Sequence, residues 1–324
     1  MPGQVFITGA SGFIGRALAA RYRRDGWAVR GVDFQADPDW DVVAGDIRSP
    51  DTWRKHVAGS DLVLHTAAIV SMVAPVEDAW AVNCQGTRRM LEIARDEQVG
   101  RLLHLSSIAA YGFDFPPDVD ETYPLRPWGN SYVDTKIASE HTVLSAHAAG
   151  EVACTVIRPG DVYGPGSRAW LVEPLKMMKA GQFMLPDAAR SVFSPVYIDD
   201  LVDGIVQAAA SPRAAGQVFN LTGGVGVSCE TFFGHHWRWL GKPGAPRSLP
   251  AAVAEALAGV GGCLMKLIGR PTEMGRGTVQ LLARRATYSI EKARSLLGYA
   301  PQVDLDRGME QSEAWVRAQG LLER

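Results

Sequence analysis

The chain has 324 residues, with 33 Lys+Arg against 35 Asp+Glu for a formal net charge of −2. Hydrophobic residues make up 47% and charged residues 21%, a balance that disfavours disorder and suits one large domain, or a domain with a smaller lobe. Near-neutral charge also removes the electrostatic footprint of a nucleic-acid binder.

The opening stretch MPGQVFITG enters a strand-type run with no basic region and no apolar signal core. Strands are predicted over Gln4–Gly9, Ala28–Asp33, Asp61–Ala68, Arg101–Ser107 and Val152–Arg158. Each is nearly continuous in Val, Ile or Leu rather than alternating, as strands buried on both faces are in a parallel sheet. Between the first two, Gly12–Asp25 reads as a helix. Phe13, Ile14, Ala17, Leu18 and Tyr22 share one face, Arg16, Arg23 and Arg24 point outward, and Gly26 closes the end. A further helix carries Tyr132 and Lys136 and runs to about His147. This alternation predicts an α/β fold with a doubly wound parallel sheet.

The second half reads differently. Leu171–Gly181 and Leu201–Ala210 are helical, and Ser194–Asp199 and Gln217–Thr222 are strands able to rejoin the first sheet. From Val225 the pattern is helical, ending in Leu305–Gln319. The expected division is a cofactor domain over 1–170, rejoined by about 192–224. A smaller, mostly helical C-terminal substrate lobe takes 171–191 and 225–324. Trp170, Leu171, Met177, Met178, Phe183, Met184 and Leu185 are suitable material for an apolar substrate pocket, although helix-core packing explains each singly.

Cys84, Cys154, Cys229 and Cys263 lie far apart with no CxxC, which points to free thiols in a reducing, cytoplasmic setting. His235 and His236 lack a partner at ligand spacing, so no metal site is expected. The apolar stretch Ala251–Gly269 is broken by Glu255 and Lys266 and is a poor integral membrane span. It reads as an amphipathic or gating segment or as a Gly-softened core helix, and Lys266 and Arg270 offer little attraction to anionic lipid.

Gly9, Ser11, Gly12, Phe13, Ile14 and Gly15 sit where a strand hands over to a helix. A glycine turn there lets backbone amides and the helix N-terminus approach a pyrophosphate, although the GxxGxxG spacing is one residue wider than the usual dinucleotide fingerprint. Asp33 ends the next strand 18 residues after Gly15, where a carboxylate would accept the adenosine ribose hydroxyls and repel a 2′-phosphate. This favours NAD over NADP, with Arg16 the one feature favouring the phosphorylated form. Tyr132 and Lys136, at i and i+4, share a helix face. A neighbouring ammonium lowers a tyrosine pKa from about 10 toward a useful acid/base.

Taken in order, these motifs resemble the extended short-chain dehydrogenase/reductase family. The resemblance rests on TGxxGxxG, Asp33, Gly45-Asp46-Ile47, His65-Thr66-Ala67-Ala68, Asn83-Cys84-Gln85-Gly86-Thr87, Ser106-Ser107, YxxxK and Arg158-Pro159-Gly160. It continues through Tyr197-Ile198-Asp199-Asp200-Leu201 and the late Tyr288-Ser289-Ile290 and Leu297-Gly298-Tyr299.

That resemblance implies a Rossmann fold in which Asp46 and Ile47 border the adenine. Thr66, Ala67 and Ala68 would line the cofactor, with Pro159, Gly160 and Val162 near the nicotinamide. Ser107, rather than Ser106, would join Tyr132 and Lys136 in catalysis, with Asn83 helping to hold the site or merely packing a helix turn. Lys136 would also hold the nicotinamide ribose.

Residues 158–170, 194–200 and 286–294 look like the 3β-hydroxysteroid dehydrogenase/isomerase branch, and no Arg-Asp pair stands where nucleotide-sugar enzymes commonly carry one. The implied activity is hydride transfer between NAD and a bulky apolar secondary alcohol or ketone, in a homodimer. Alternatives are a nucleotide-sugar epimerase or dehydratase, a carbonyl reductase, and a non-catalytic dinucleotide-sensing protein.

Overall fold

A computed structural model describes residues 3–267, 273 and 275–323, with no account of the side chains of 262–267. The expectations on Cys263, Lys266 and Arg270 lie outside the described side chains. Six strands, β1 (Gln4–Thr8), β2 (Ala28–Asp33), β3 (Val42–Ala44), β4 (Leu62–His65), β5 (Arg101–Leu105) and β6 (Cys154–Pro159), join Val218–Leu221 in one sheet. The order is Val218–Leu221, β6, β5, β4, β1, β2, β3, and every pairing is parallel. The chain reverses its direction of travel across the sheet between β1 and β4. The carboxyl ends of those strands therefore open the crevice in which doubly wound sheets bind ligands.

Helices cover both faces. On one side α1 (Phe13–Arg24) buries Leu18, Ala19 and Tyr22 against Val5 and Ile7. On the other, α2 (Val76–Trp80), α3 (Thr87–Asp96) and α4 (Ser131–Ala148) place Met90, Leu91 and Val143 over Phe6, Val63 and Leu102. Between α2 and α3 the helix widens into a π-type turn over Ala81–Gly86.

The structure departs from the sequence expectation in three places. The edge strand β3 was not predicted, because three residues paired on one side carry little pattern. Pro195–Tyr197 does not rejoin the main sheet. It pairs with β7 (Asp161–Tyr163) in a separate two-stranded unit, since the chain peels away at Gly160, whose backbone lies against the Ser194 carbonyl. The helix expected from Leu171 starts later, as α5 (Glu173–Lys179) with Pro174 in its first turn, after a wide turn over Arg168–Val172. The chain continues with α6 (Ile198–Ala210), α7 (Cys229–Trp239), α8 (Ala251–Leu267), α9 (Arg276–Leu282), α10 (Glu291–Leu297) and α11 (Leu305–Ala318). Among the described residues no helix is long and apolar enough to cross a membrane.

Candidate active site

A cavity of about 540 Å³ opens at the crevice, walled by β-strand ends on one side and by segments around 159–170 and 281–284 on the other. Its floor is the glycine turn. Gly9 adopts φ +68°, a left-handed conformation that favours glycine, and a Cβ there would press on Thr66 Oγ1 at 2.9 Å. A Cβ on Gly15 would collide with the Gly9 carbonyl oxygen, so this glycine lets α1 pack onto the strand turn. Gly12 meets only that same oxygen, at 3.1 Å, and its Cα faces the cavity. This is a cradle in which backbone can approach a pyrophosphate closely.

Asp33 stands in the wall with its carboxylate held by two backbone amides, Ser11 N at 2.9 Å and Phe34 N at 2.7 Å. Ser11 itself is exposed and does not line the cavity, so its contribution is the amide that aims Asp33. Asp46, expected to border the adenine, is not itself in the cavity wall. Its carboxylate is taken by Arg48, whose hydrogen bonds hold it below the usual carboxylate range, and the adjoining wall is Gly45, Ile47 and Val82. Arg16 is bonded to Asp37 at 2.7 Å and stacks 4.6 Å from the Trp40 ring centroid. The cation that might have served a 2′-phosphate is already engaged.

Thr66, Ala67 and Ala68 follow β4 along the wall, fixed by a buried chain of polar side chains. Thr66 Oγ1 donates to the Thr8 carbonyl at 2.7 Å and Ala67 N donates to Thr8 Oγ1 at 3.2 Å. Thr8 Oγ1 meets His65 Nδ1 at 2.8 Å, and His65 Nε2 meets Thr87 Oγ1 at 3.0 Å. His65 stacks on His104, their centroids 5.4 Å apart. Burial, then the charge of Lys136, push His65 down to about 3 and His104 well below its ordinary value.

Helix α4 presents the candidate acid/base groups to the cavity. Asn130 caps it, its side-chain oxygen accepting from Tyr132 N and Val133 N. Four-residue spacing puts Tyr132, Lys136 and Glu140 on one buried face. Burial pushes Tyr132 up to about 12, against a lowering hydrogen bond from Ser107. Burial brings Lys136 down to about 8, although the Glu140 charge opposes this. Lys136 Nζ donates to the Leu105 carbonyl at 2.8 Å and lies 5.8 Å from the Tyr132 ring centroid. Both serines line the cavity; Ser107 caps the short turn Ile108–Tyr111, whereas Ser106 is engaged in donating to Glu140. Glu140 in turn takes a bidentate, buried Arg158, which stacks 4.6 Å from the Tyr111 ring centroid. The Ser106–Glu140–Arg158 anchor was missed in the sequence, although Glu140 continues the i, i+4 row of Tyr132 and Lys136.

Asn83, expected to help hold the site or merely to pack a helix turn, does not line the cavity. Its amide is fully used as a clamp. Oδ1 accepts from Ile69 N at 2.8 Å, while Nδ2 donates to the Ile69 carbonyl and to Thr135 Oγ1, at 3.1 and 3.0 Å. It therefore ties the cofactor-side loop to α4.

Pro159, Gly160 and Val162 lie in the far wall, beside Asp161 and the fully buried Arg284, paired at 2.7 Å. This pair was also missed, since nothing in the sequence joins residues so far apart. Of the seven proposed pocket residues only Trp170 faces the cavity. Leu171, Met178, Phe183 and Leu185 are buried in the hydrophobic core, Met177 packs on that core, and Met184 is exposed. Ile69, Val70, Met72, Ile108 and Leu281 supply apolar wall instead.

Residues 5–222 match the model of the NAD dependent epimerase/dehydratase family. The chain is 29% identical over 320 residues to a 4-hydroxy-2-methyl-3-oxo-4-farnesyl-3,4-dihydroquinoline-1-oxide ketoreductase of Stigmatella aurantiaca, covering 95% of each. It is 26% identical to a 3-beta-hydroxysteroid dehydrogenase of Mycolicibacterium neoaurum, covering 95% of this chain and 89% of the relative. In fold it resembles UDP-glucose 4-epimerase from Thermotoga maritima, with a TM-score of 0.81, 20% identity and 98% and 99% of the two chains covered. With the family model spanning the sheet, the glycine cradle and the YxxxK helix, the chain belongs to the NAD dependent epimerase/dehydratase family of extended short-chain dehydrogenases/reductases, whose cofactor is NAD.

Proposed function

We propose that this protein is a dehydrogenase/ketoreductase that interconverts a bulky, apolar secondary alcohol, 3β-hydroxysteroid-like, with its ketone. The observation that carries the reading is the setting of Ser107, Tyr132 and Lys136 in a largely apolar cavity. The two arginines in its described wall are each paired with a carboxylate, Arg168 with Glu173 and Arg284 with Asp161. A diphosphate needs cations able to turn toward it; buried Arg284 is committed to Asp161 and weighs against a nucleotide sugar, whereas exposed Arg168 is held only by a surface pair. The ketoreductase and steroid dehydrogenase among the relatives support the same class.

Gly9, Gly12, Gly15, Phe13 and Ile14 would hold the pyrophosphate side of NAD, Asp33 the adenosine ribose, and Ile47 with Gly45 the adenine. Thr66, Ala67, Ala68, Pro159, Gly160 and Val162 would line the remainder, with Lys136 reaching the nicotinamide ribose. When bound, NAD supplies the hydride acceptor, and its reduced form the hydride donor. The protein's own part is proton transfer and alignment. Ser107 donates a hydrogen bond to the reacting oxygen, and Tyr132 gives that oxygen a proton in reduction or takes one in oxidation, a contribution of about 10²- to 10⁴-fold. In the structure Tyr132 is held in its acid form, ready to protonate a ketone, and a charged Lys136 favours the phenolate needed for oxidation.

The pH dependence follows in sign. Oxidation should rise with pH because it needs the phenolate. Reduction should change little until Lys136 begins to lose its proton near pH 8. Residues 1–170 with about 192–224 would form the cofactor unit, and 171–191 with 225–324 the substrate lobe. A homodimer in a reducing, cytoplasmic setting completes the proposal; the free, buried thiols of Cys84, Cys154 and Cys229 suit that setting. The test is a panel of 3β-hydroxysteroids, other bulky alcohols and UDP-sugars with NAD and NADP. Stoichiometric keto product and NADH from an apolar alcohol are expected. Conversion of a UDP-sugar without NADH release would overturn the reading.

A further inference from the structure

The Asp161–Arg284 pair is an unusual thing to find in the wall of an apolar cavity. Both residues line it, and their side chains are 6% and 1% exposed. Burying two charges is costly, and a well-packed apolar pair would often be as stable, so the position invites a role for the charge. The hydrogen bonds are distributed unevenly between the partners. Arg284 is spent on all three of its nitrogens: Nη2 donates to Asp161 Oδ2 at 2.7 Å, Nε to the Leu281 carbonyl at 2.7 Å, and Nη1 to the Tyr288 hydroxyl at 3.2 Å. Asp161 is spent on one oxygen only. Oδ2 takes both Arg284 and the Ser194 amide, the latter at 2.9 Å, while Oδ1 has no hydrogen-bond partner among the described residues.

We propose that Asp161 Oδ1 is the second polar anchor of the substrate pocket, accepting a hydrogen bond from an O–H or N–H that the substrate carries beside its reacting carbon. The inference rests on the alcohol/ketone reading and narrows it to ketones with a hydroxyl or amino group beside the carbonyl, a donor that a plain 3β-hydroxysteroid lacks next to its reacting carbon. Three of the five Arg284 N–H donors are committed within the protein and its charge is balanced by Asp161, so the pair offers little to an anionic group. What remains is a lone acceptor, fixed by Arg284 and the Ser194 amide, in a cavity that Tyr132 and Ser107 also line. A ligand that seals the cavity without the donor would leave that carboxylate oxygen unpaired, and sites of that kind reject such ligands far more strongly than apolar pockets reject a missing methylene.

The test compares 2-hydroxy-1-tetralone with 2-methoxy-1-tetralone and 1-tetralone, which share a ring frame but differ in the donor. Binding is measured by calorimetry to NAD-loaded Tyr132→Phe protein, which removes the catalytic acid/base and so separates affinity from turnover. The hydroxy ketone should bind about 10- to 100-fold more tightly than the other two. Asp161→Asn, which leaves an amide oxygen for Arg284 and can turn a donor toward the cavity, should erase or reverse that preference while NAD affinity stays unchanged.

A second variant guards against misfolding. The double substitution Asp161→Leu with Arg284→Met replaces the pair by apolar groups, and should bind 1-tetralone while losing the hydroxyl preference. Equal binding of the three ketones, binding of none, or a preference that survives in either variant would overturn the proposal. Failure of the underlying reading shows separately, as no turnover of any ketone by wild-type protein with NADH.

Discussion

The two walls of the cavity are held by different kinds of contact. On the β1–β2 side the geometry comes from the backbone. Three glycines set the turn, and Asp33 is aimed by the amides of Ser11 and Phe34. On the 159–170 and 281–284 side it comes from side chains that meet across long stretches of chain, Asp161 with Arg284 and Trp170 with Phe193. Backbone geometry is dictated by a few small residues at short spacing and serves a ligand whose shape does not vary. Side-chain geometry can be rebuilt one substitution at a time, and it is the wall that would change when the substrate changes. Helix α4 stands between them and presents Tyr132 and Lys136.

That contrast can be broken experimentally. The largest effect is expected at the shared helix: Tyr132→Phe should lower kcat by about 10²- to 10⁴-fold with NADH affinity unchanged. Comparable loss of NADH binding, seen by fluorescence titration, would mean that Tyr132, and not Lys136 alone, also holds the cofactor. Next comes Gly15→Ala, whose Cβ would strike the Gly9 carbonyl oxygen. It should weaken NAD binding more than about tenfold and cost about 1–3 kcal/mol of stability in denaturant titration, while relative preference among ketones stays put.

Asn83→Ala should cost about 1–3 kcal/mol, because it strands the Ile69 backbone groups that the amide now pairs. Asn83→Asp should not restore it, since a carboxylate cannot donate to the Ile69 carbonyl. A fully stable Asn83→Asp protein would remove the clamp from the account. The smallest effect is at Arg16→Ala. The pair with Asp37 is partly exposed, so stability should shift by less than about 1 kcal/mol, and the preference for NAD over NADP should hold in steady-state assays.

The same contrast explains what was legible in the sequence. The glycine turn, Asp33 and the four-residue step from Tyr132 to Lys136 are local patterns whose spacing reports the geometry directly. Continuous apolar runs likewise marked five strands of the sheet. Other roles depend on partners that spacing cannot show. Asp46 matches its motif, yet Arg48 two residues away takes its carboxylate. Asn83 matches too, but the π-type turn points its amide at Ile69 and Thr135 rather than into the cavity. Arg284 carries no local sign of its partner. Leu171, Met178 and Leu185 show why apolar composition is a poor guide to a pocket, because the same residues serve a core equally well.

The two stacked histidines beneath the cofactor loop also set a limit on acid tolerance. His65 and His104 are buried as neutral rings beside Lys136. An unfolded chain protonates its histidines near pH 6.5, whereas folded His65 resists protonation down to about 3. Between those values the unfolded state holds a proton that the folded one refuses, so stability falls as pH drops through that window and is unaffected by these rings above it. The packing that fixes the loop after β4 near neutrality therefore costs the folded state stability on acidification.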